Sequence, residues 1–315
     1  MPYSMINWKY YGIIAVFIAS LFAPLIFPEY VLNLIAAALL LGLFSAAVDL
    51  SIGYGGLLNL GSAMYFGLGA YCLALTQQAG WNFLSGLAIG VFCAFILSAL
   101  IGFIGLKLQR SMIQYALLGL VISLSLEQLA IGSYSFAGGS NGITNISVPD
   151  LLSFIGIKFK SDYFYCVVIL TGILLFCLSF ITRSHFGKLL LLVRDEPGKA
   201  ASLGYDVDRV KISVTMITAI VSAIAGAFYV PLINIAYPGM FSVTPNMLVL
   251  VWIAVGGVGT LIGPFVLAAA LHIFEFELGS QFVDWYMFVL GIIFVGAVML
   301  HARGIRTLIR RFSGG

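Results

Sequence analysis

Charge is the scarcest property of this sequence. Only 9% of its 315 residues are charged, whereas 62% are hydrophobic. A typical soluble domain has about 25% charged and about 45–50% apolar residues. A chain of this size could not bury so much apolar surface in water, so a soluble enzyme, a disordered chain and a nucleic-acid-binding protein are excluded. The composition predicts a protein that crosses a membrane many times.

Several catalytic motifs are also missing. The chain has no Walker A sequence, no G-x-G-x-x-G and no HExxH, and its four cysteines lie in apolar runs without a CxxC pair. The stretch 138–142 matches G-x-S-x-G, but a nucleophile elbow needs a strand–turn–helix setting with His and Asp partners. We interpret this stretch as a glycine-rich external turn. The chain is therefore expected to be no enzyme and to bind no metal or cofactor.

The apolar residues occur in long continuous runs. A strand of a transmembrane β-barrel alternates apolar and polar residues, and runs such as IIAAALLLGLF and FVLGIIFVGAVML do not. Lipid leaves helices as the other way to satisfy the backbone, so we predict an all-α polytopic membrane protein with about ten spans. The predicted spans are 11–28, 31–48, 62–76, 83–106, 112–132, 163–182, 212–235, 246–257, 262–274 and 284–300.

Three predicted spans, the third, eighth and ninth, are shorter than the ~20 residues of a full crossing. Glycine-rich segments join the second to the third span at 53–56, and the eighth to the ninth at 256–259. Short segments broken by glycine in both halves of a chain are typical of discontinuous helices around a transport path. Two tight turns at the membrane surface are the alternative interpretation.

The basic residues are divided unequally between the two sides that ten spans define. All of the 15 except Lys158 and Lys160 fall on one side, which the positive-inside rule assigns to the cytoplasm together with both termini. An external polar segment over 133–162 and a cytoplasmic one over 183–211 interrupt the spans. We expect one transmembrane domain over 1–315.

Two acidic residues lie near span interiors. Asp49 directly precedes the first glycine break, and Glu127 lies within the fifth span. Acids inside a membrane are costly and are therefore candidates for function. Asp49 is expected to accept hydrogen bonds from the amides that are freed where the next half-helix begins. Glu127 is about a turn and a half from the outer end of its span and can reach water.

The cytoplasmic segment contains the sequence RSHFGKLLLLVRDEPGKAASLGYDVDRVK. It combines a short apolar helical stretch at 189–193 with the small residues Ala200 and Ala201, and Gly204 suits the end of a helix. A short amphipathic helix of this kind can lie in a groove of a partner protein. A solvated loop is the alternative that composition leaves open.

This segment resembles the coupling loop of permease subunits of ATP-binding-cassette (ABC) importers of the branched-chain amino acid family, which also includes urea and amide importers. Further stretches resemble the same family in the expected order and extend from about residue 40 to 305. These stretches are DLSIGYGGLLNLGSAMYFGLGAY (49–71), GGSNGITNI (138–146), AGAFYVPLINIAYPGMF (225–241), VWIAVGGVGTLIGP (251–264) and RGI (303–305).

The resemblance implies a multi-pass permease of the inner (plasma) membrane. It would pair with a second homologous permease, two ATPase subunits and an external (periplasmic) solute-binding protein. ATP and Mg²⁺ would bind to the ATPases and not to this chain. By alternating access, closure of the ATPases by ATP would pull on the loop around Glu196–Gly204 and open the path toward the binding protein, and hydrolysis would reset it.

The substrate class is divided between two branches of the family. Asp49 with Gly53 and Tyr54, and the stretch 251–257, resemble the urea members, whereas the NISVP run of the external loop resembles the amino-acid members. We expect branched-chain amino acids and keep urea or a short amide as the alternative.

The candidate site residues fall into three groups. Glycines allow close backbone approach, and exposed backbone groups can contact a small polar solute. The substrate-path candidates are Asp49, Gly53, Gly55, Gly56, Asn59, Gly256, Gly257 and Gly259. The candidates for ATPase coupling are Arg194, Glu196, Ala200, Ala201 and Gly204. The candidates for contact with the binding protein are Gly138, Gly139 and Gly142. In the coupling group, the two alanines would contact the ATPase, the glycine would end the helix and the charged residues would fix the register.

Two other classes of protein remain as alternatives. A secondary transporter or channel would work without ATPases, but it usually needs more buried titratable groups than Asp49 and Glu127. The second is a membrane scaffold or enzyme that transports nothing, and the absence of a recognisable catalytic set in this sequence speaks against it.

Overall fold

The computed structural model describes residues 23–24, 27–108, 112–148 and 162–281. Its elements are almost all helical, and the predicted all-α class is confirmed. The elements are α1 (Glu29–Asp49), α2 (Ala63–Gln78), α3 (Phe83–Gly102), α4 (Met112–Gly132), α5 (Tyr134–Ala137), β1 (Ile143–Thr144), α6 (Asp162–Arg183), α7 (His185–Asp195), α8 (Pro197–Ser202), α9 (Val207–Ile233), β2 (Ile235–Ala236), α10 (Val243–Gly256) and α11 (Ile262–Gln281). Short π-helical turns extend α1 (Leu50–Tyr54) and α3 (Phe103–Leu108), and 3-10 helices lie before β1 (Gly139–Asn141) and after β2 (Pro238–Phe241).

Five helices of the described part are long and apolar enough to cross a membrane. They are Glu29–Tyr54, Phe83–Leu106, Met112–Gly132, Asp162–Arg183 and Val207–Ile233. With 21 to 27 residues each, they reach about 30–40 Å, which matches a hydrocarbon core of about 30 Å. They correspond to the predicted second, fourth, fifth, sixth and seventh spans. The predicted first and tenth spans lie outside the described residues.

Helix α11 extends beyond the predicted ninth span. Helix α11 has 20 residues and ends at Gln281, whereas the apolar run predicted an end at 274. Glu275 and Glu277 lowered the apparent hydrophobicity and shortened the predicted span. Both acids therefore lie within a helix and not in an external loop.

Helices α2 and α10 are the short ones. Their 16 and 14 residues reach only about 24 and 21 Å, less than a full crossing. The segment 55–62 before α2 is non-helical. The Asn246 side-chain oxygen in α10 accepts a hydrogen bond from the amide of Ala63 (2.8 Å), so the amino-terminal ends of the two short helices meet. Short broken helices are present in both halves of the chain, as predicted.

Helix α9 is packed against α1, α2 and α3. Glycines allow its close approach to α2: a Cβ added at Gly69 would lie 1.9 Å from the carbonyl oxygen of Ala223, and one at Gly226 would lie 1.9 Å from that of Phe66. Helices in lipid gain little from the hydrophobic effect and associate through close packing of small residues. The close packing of α9 against α2 therefore explains why positions 69 and 226 are glycines.

The 27 residues of α9 also separate two ends of the bundle by about 40 Å. Helices α7 and α8 precede its start, and we call this the basic end because Lys188, Arg194 and Lys199 lie there. After its last residue, β2 pairs with β1 in an antiparallel ladder, and we call this the strand end. The two-residue strands were not predicted from the sequence.

Candidate functional site

A buried carboxylate joins the two glycine breaks at the basic end. Asp49 is fully buried, and its two oxygens accept hydrogen bonds from the amides of Gly259 (2.7 Å) and Leu261 (2.8 Å). The sequence predicts amide donors for Asp49, but it assigns them to the adjacent break. The donors lie instead 210 and 212 residues further along the chain, in the loop between α10 and α11.

The two breaks also touch through their backbones. A Cβ added at Gly53 would lie 2.4 Å from both the Cα and the amide nitrogen of Gly259, and 2.7 Å from the Oδ1 of Asp49. Gly259 has a φ of +77°, a conformation that glycine adopts without steric cost. Gly53 therefore leaves the space for this contact, and Gly259 provides the backbone conformation.

Arg194, at the end of α7, contacts the first of the two glycine breaks. Its Nη1 donates a hydrogen bond to the carbonyl oxygen of Gly53, and its stem covers Gly56, where an added Cβ would lie 2.6 Å from the Arg194 Cγ. Asp195 orients the guanidinium by accepting a hydrogen bond from its Nε (2.7 Å). This bond from Arg194 lowers the pKa of Asp195, so the pair stays ionised to a lower pH than a free carboxylate would.

We refer to these residues together as the basic-end cluster. Its members are Asp49, Gly53, Gly56, Arg194, Gly259 and Leu261. The cluster combines predicted path residues from both breaks with a predicted coupling residue. The sequence assigned these residues to two separate functions, and the fold brings them into one set of contacts.

Local sequence explains how α7 presents Arg194. The hydroxyl of Ser184 accepts a hydrogen bond from the Gly187 amide and caps the start of α7. Leu190 and Val193, three residues apart on one face, are buried. This apolar face holds the helix against the bundle, and Arg194 follows directly after the last buried residue.

Helix α8 contains the other coupling candidates. Ala200 is fully buried within the chain, whereas Ala201 is exposed. Gly204 ends the helix with a φ of +88°, and its amide donates to the carbonyl of Ala201 (3.0 Å) while the next amide donates to that of Ala200 (3.1 Å), the pattern of a Schellman motif. Glu196 precedes α8 and pairs with Lys199, but both side chains are about half exposed or more, so the pair adds little stability.

Four path candidates lie outside the basic-end cluster. Asn59 is buried and accepts a hydrogen bond from the Gly61 amide (2.9 Å), so it shapes the segment before α2. Gly55 faces α9, where an added Cβ would lie 3.0 Å from Val214. Gly256 packs against the start of α11, and Gly257 provides a φ of +101° for the turn.

The three glycines that are candidates for contact with the binding protein form a tight turn at the strand end. All three have positive φ values. A Cβ at Gly138 would lie 2.0 Å from the carbonyl oxygen of Gly142, and a Cβ at Gly142 would lie 2.2 Å from that of Ala236. Gly139 is buried. These glycines fold the loop against β2, and the surface beside them is formed by exposed Tyr134 and Phe136.

A cavity of about 440 Å³ lies between the two ends. It is bordered by the middle of α1, the starts of α2 and α10, the end of α9 and the middle of α11. Its apolar wall includes Leu41, Phe44, Phe66, Met240, Leu248 and Trp252. Its polar lining comprises Tyr229, Tyr237, Ser242, Thr244, His272 and Glu275.

The sequence did not single out the cavity-lining or interior polar residues. Asn246 is buried and also donates to the Ser242 carbonyl (2.9 Å); an amide inside an apolar run was the signal for it. Glu275 lies one residue beyond the predicted ninth span, although helix α11 includes it. Leu261 contributes to the basic-end cluster through its backbone amide. The identity of its side chain therefore could not mark it as a site residue.

The fold and these contacts define a multi-pass membrane protein with paired discontinuous helices and a loop helix linked to them. Residues 30–298 match the family model for the branched-chain amino acid transport system, permease component, and the chain belongs to this family. It is thus the permease component of an ABC importer and is not itself an enzyme. Permeases of this class work with ATPase and solute-binding-protein partners. The predicted family is confirmed.

Curated relatives are similar over most of the chain. The high-affinity branched-chain amino acid transport permease LivM of Escherichia coli (strain K12) is 24% identical, over 95% of this chain and 75% of its own length. The fructose import permease FrcC of Rhizobium meliloti is 23% identical, over 86% of this chain and 74% of its own length. The solved structure of PsaBC from Streptococcus pneumoniae in complex with Fab matches with a TM-score of 0.43 and 14% identity, over 91% of this chain and 95% of that one.

Proposed function

We propose that this chain imports branched-chain amino acids across the inner (plasma) membrane. It would act with a second homologous permease, two ATPases that bind ATP and Mg²⁺, and an external binding protein. Membership of the permease family and similarity to LivM support this proposal. The observation that carries the mechanism is the hydrogen bond from Arg194 in the loop helix to Gly53 in the broken helix.

The basic end is proposed to face the cytoplasm, together with both termini. The unequal distribution of Lys and Arg supports this orientation. The strand end would then face the binding protein, with Tyr134 and Phe136 on the contact surface. Gly138, Gly139 and Gly142 would hold that surface in shape.

The basic-end cluster is proposed to be the cytoplasmic gate. The contact between Gly53 and Gly259 joins the two breaks below the cavity, and the hydrogen bonds of Asp49 hold them together. Movement of α7 and α8 by the ATPases would pull on Gly53 through Arg194. The gate would then separate at the point where the two halves of the chain meet.

Docking of the ATPase is assigned to the exposed side of α8. Ala201 is exposed and fits this role, whereas Ala200 is buried and fits a packing role. Glu196 directly before α8 and Lys199 within it are exposed and would fix the register. Gly204 would keep the helix short.

The function is tested by purifying the chain with the products of its neighbouring genes and measuring ATP-driven uptake in proteoliposomes. We expect two ATPase subunits to co-purify and leucine to accumulate only with ATP and the binding protein. Urea and fructose are measured in parallel. Accumulation of either in place of leucine would reject the substrate class, and uptake by the chain alone under an ion gradient would reject the importer mechanism.

Ala201→Asp is predicted to weaken binding of the ATPases. A charge on the exposed face of α8 must be desolvated in the interface, so we expect at least about tenfold less co-purified ATPase. Ala201→Ser, which stays small and neutral, is the control and should retain binding. Equal recovery of ATPase with both variants would remove Ala201 from the interface.

Arg194→Ala is predicted to separate ATP hydrolysis from transport. The variant loses the bond to Gly53 and the cover over Gly56, while the exposed docking face of α8 is unchanged. We expect the complex to assemble and hydrolyse ATP, with about tenfold less solute moved per ATP. Arg209→Ala is the matched control, because Arg209 lies in the first turn of α9, is 82% exposed and pairs with the nearby Asp206. If both variants transport equally well, Arg194 does not transmit the movement.

A further inference from the structure

Helix α11 carries an acidic side chain into the wall of the cavity. Glu275 lines the cavity with His272, which lies one turn earlier on the same helix. Glu275 is about 9 Å from the end of α11 at Gln281, so it lies within the helix. Among the described residues, the ion pairs join other side chains and none involves Glu275. An acidic residue that faces a cavity from an otherwise apolar helix is a candidate for a functional site.

The remaining walls of the cavity are suited to an apolar group. Phe44, Phe66 and Trp252 line it, and aromatic ring faces also attract cations. Its volume of about 440 Å³ falls within the range of about 300–1,000 Å³ that is usual for small-molecule sites. A mostly apolar cavity with one acidic residue fits a small solute that has an apolar part and a positive charge.

We propose that Glu275 binds the ammonium group of the solute while it passes through this cavity. The proposal rests on the importer function and adds the group that selects the substrate class. A carboxylate and an ammonium form an ion pair with charge-assisted hydrogen bonds, which are stronger than hydrogen bonds between neutral groups. Urea and fructose carry no positive charge, so they can donate hydrogen bonds to Glu275 but cannot form the ion pair. The permease itself, and not only the binding protein, then discriminates in favour of amino acids.

Uptake by the complete complex is the first test. Glu275→Gln keeps the size of the side chain and removes its charge, and we expect at least about tenfold slower leucine uptake because a charge-assisted bond is lost. Glu277→Gln is the matched control, since Glu277 is an exposed acid two residues further along the same helix, and its uptake should be unchanged. Hydrolysis of ATP and recovery of both permease subunits are measured on the same samples.

Direct occupancy of the cavity is the second test and does not depend on the binding protein. Thr244, which lines the cavity on α10, is replaced by cysteine after the four native cysteines are replaced by alanine. Its maleimide labelling is measured in the purified complex. Leucine should slow the labelling, 4-methylpentanoate (leucine without its amino group) should not, and Glu275→Gln should abolish the protection by leucine.

The possible results separate the two proposals. Leucine uptake that is unchanged by Glu275→Gln, or equal protection by 4-methylpentanoate, overturns the role of Glu275 and leaves the importer function standing. If the second permease no longer co-purifies with the Glu275→Gln variant, the role of Glu275 in solute binding is also overturned. That loss would mean that Glu275 pairs with a basic residue of the second permease. A wild-type complex that takes up urea or fructose and no amine-bearing solute overturns both.

Discussion

Replacement of Gly53 by alanine is expected to reduce uptake by at least about tenfold, although it adds only one methyl group. The added Cβ would lie 2.4 Å from the backbone of Gly259 and 2.7 Å from the Oδ1 of Asp49, and the backbone cannot rotate away as the end of a flexible side chain can. The loop after α10 must shift instead. That shift would also lengthen the hydrogen bonds that Asp49 accepts, so the closed arrangement of the gate is lost.

The control for this prediction is Gly132→Ala. Gly132 ends α4, and a Cβ added there meets nothing within 4 Å. The same substitution is therefore expected to leave uptake unchanged. Both variants are compared by ATP-driven uptake and by gel filtration in detergent, which shows whether each is folded. Normal uptake by a folded Gly53→Ala variant would contradict the proposed backbone contact.

Replacement of Asp49 by alanine is expected to open the gate when no ATP is present. Each buried amide left without an acceptor costs about 1–3 kcal/mol, and Asp49 serves two of them. A loss of 1.4 kcal/mol changes the ratio of closed to open states tenfold, so passive leucine efflux from ATP-free vesicles should rise at least about tenfold. Asp49→Asn retains one acceptor oxygen and turns an NH₂ group toward an amide donor, so its efflux should also rise.

Glu127→Gln is the control for the Asp49 variants. Glu127 is the other acid predicted near a span interior, and it is half-buried on α4 at a distance in sequence from both breaks. Its neutralisation should leave efflux at the wild-type rate. If Asp49→Ala is folded and its vesicles are as tight as wild type, Asp49 has no role in closing the path.

The sequence was sufficient for most of the membrane architecture, because long apolar runs leave helices as the main option. The bounds of α4 and the positions of the short helices α2 and α10 follow closely from these runs and from the glycines between them. The end of α11 could not be predicted in this way, since Glu275 and Glu277 have the composition of a loop. A hydropathy pattern cannot distinguish a polar residue that lines a cavity from one that lies in a loop.

The partners within the candidate site were harder to predict than its members. Asp49, Gly53, Gly259 and Arg194 were all selected from the sequence, but as parts of two separate functions. Their contact depends on how helices from opposite halves of the chain pack, which local patterns do not contain. Leu261 could not be selected at all, because its backbone amide forms the contact.

The long separation between Asp49 and its donors has a consequence for biosynthesis. The chain is made from its amino terminus, so α1 enters the membrane while Gly259 and Leu261, more than 200 residues away, have not yet been synthesised. Until α10 and α11 have been inserted, the Asp49 side chain must be protonated or in contact with water. The segment between α10 and α11 therefore supplies the hydrogen-bond donors for Asp49 of α1. A chain that ends before residue 259 leaves Asp49 without these donors. A chain truncated there should be a substrate for membrane quality control, although most of its helices are already made.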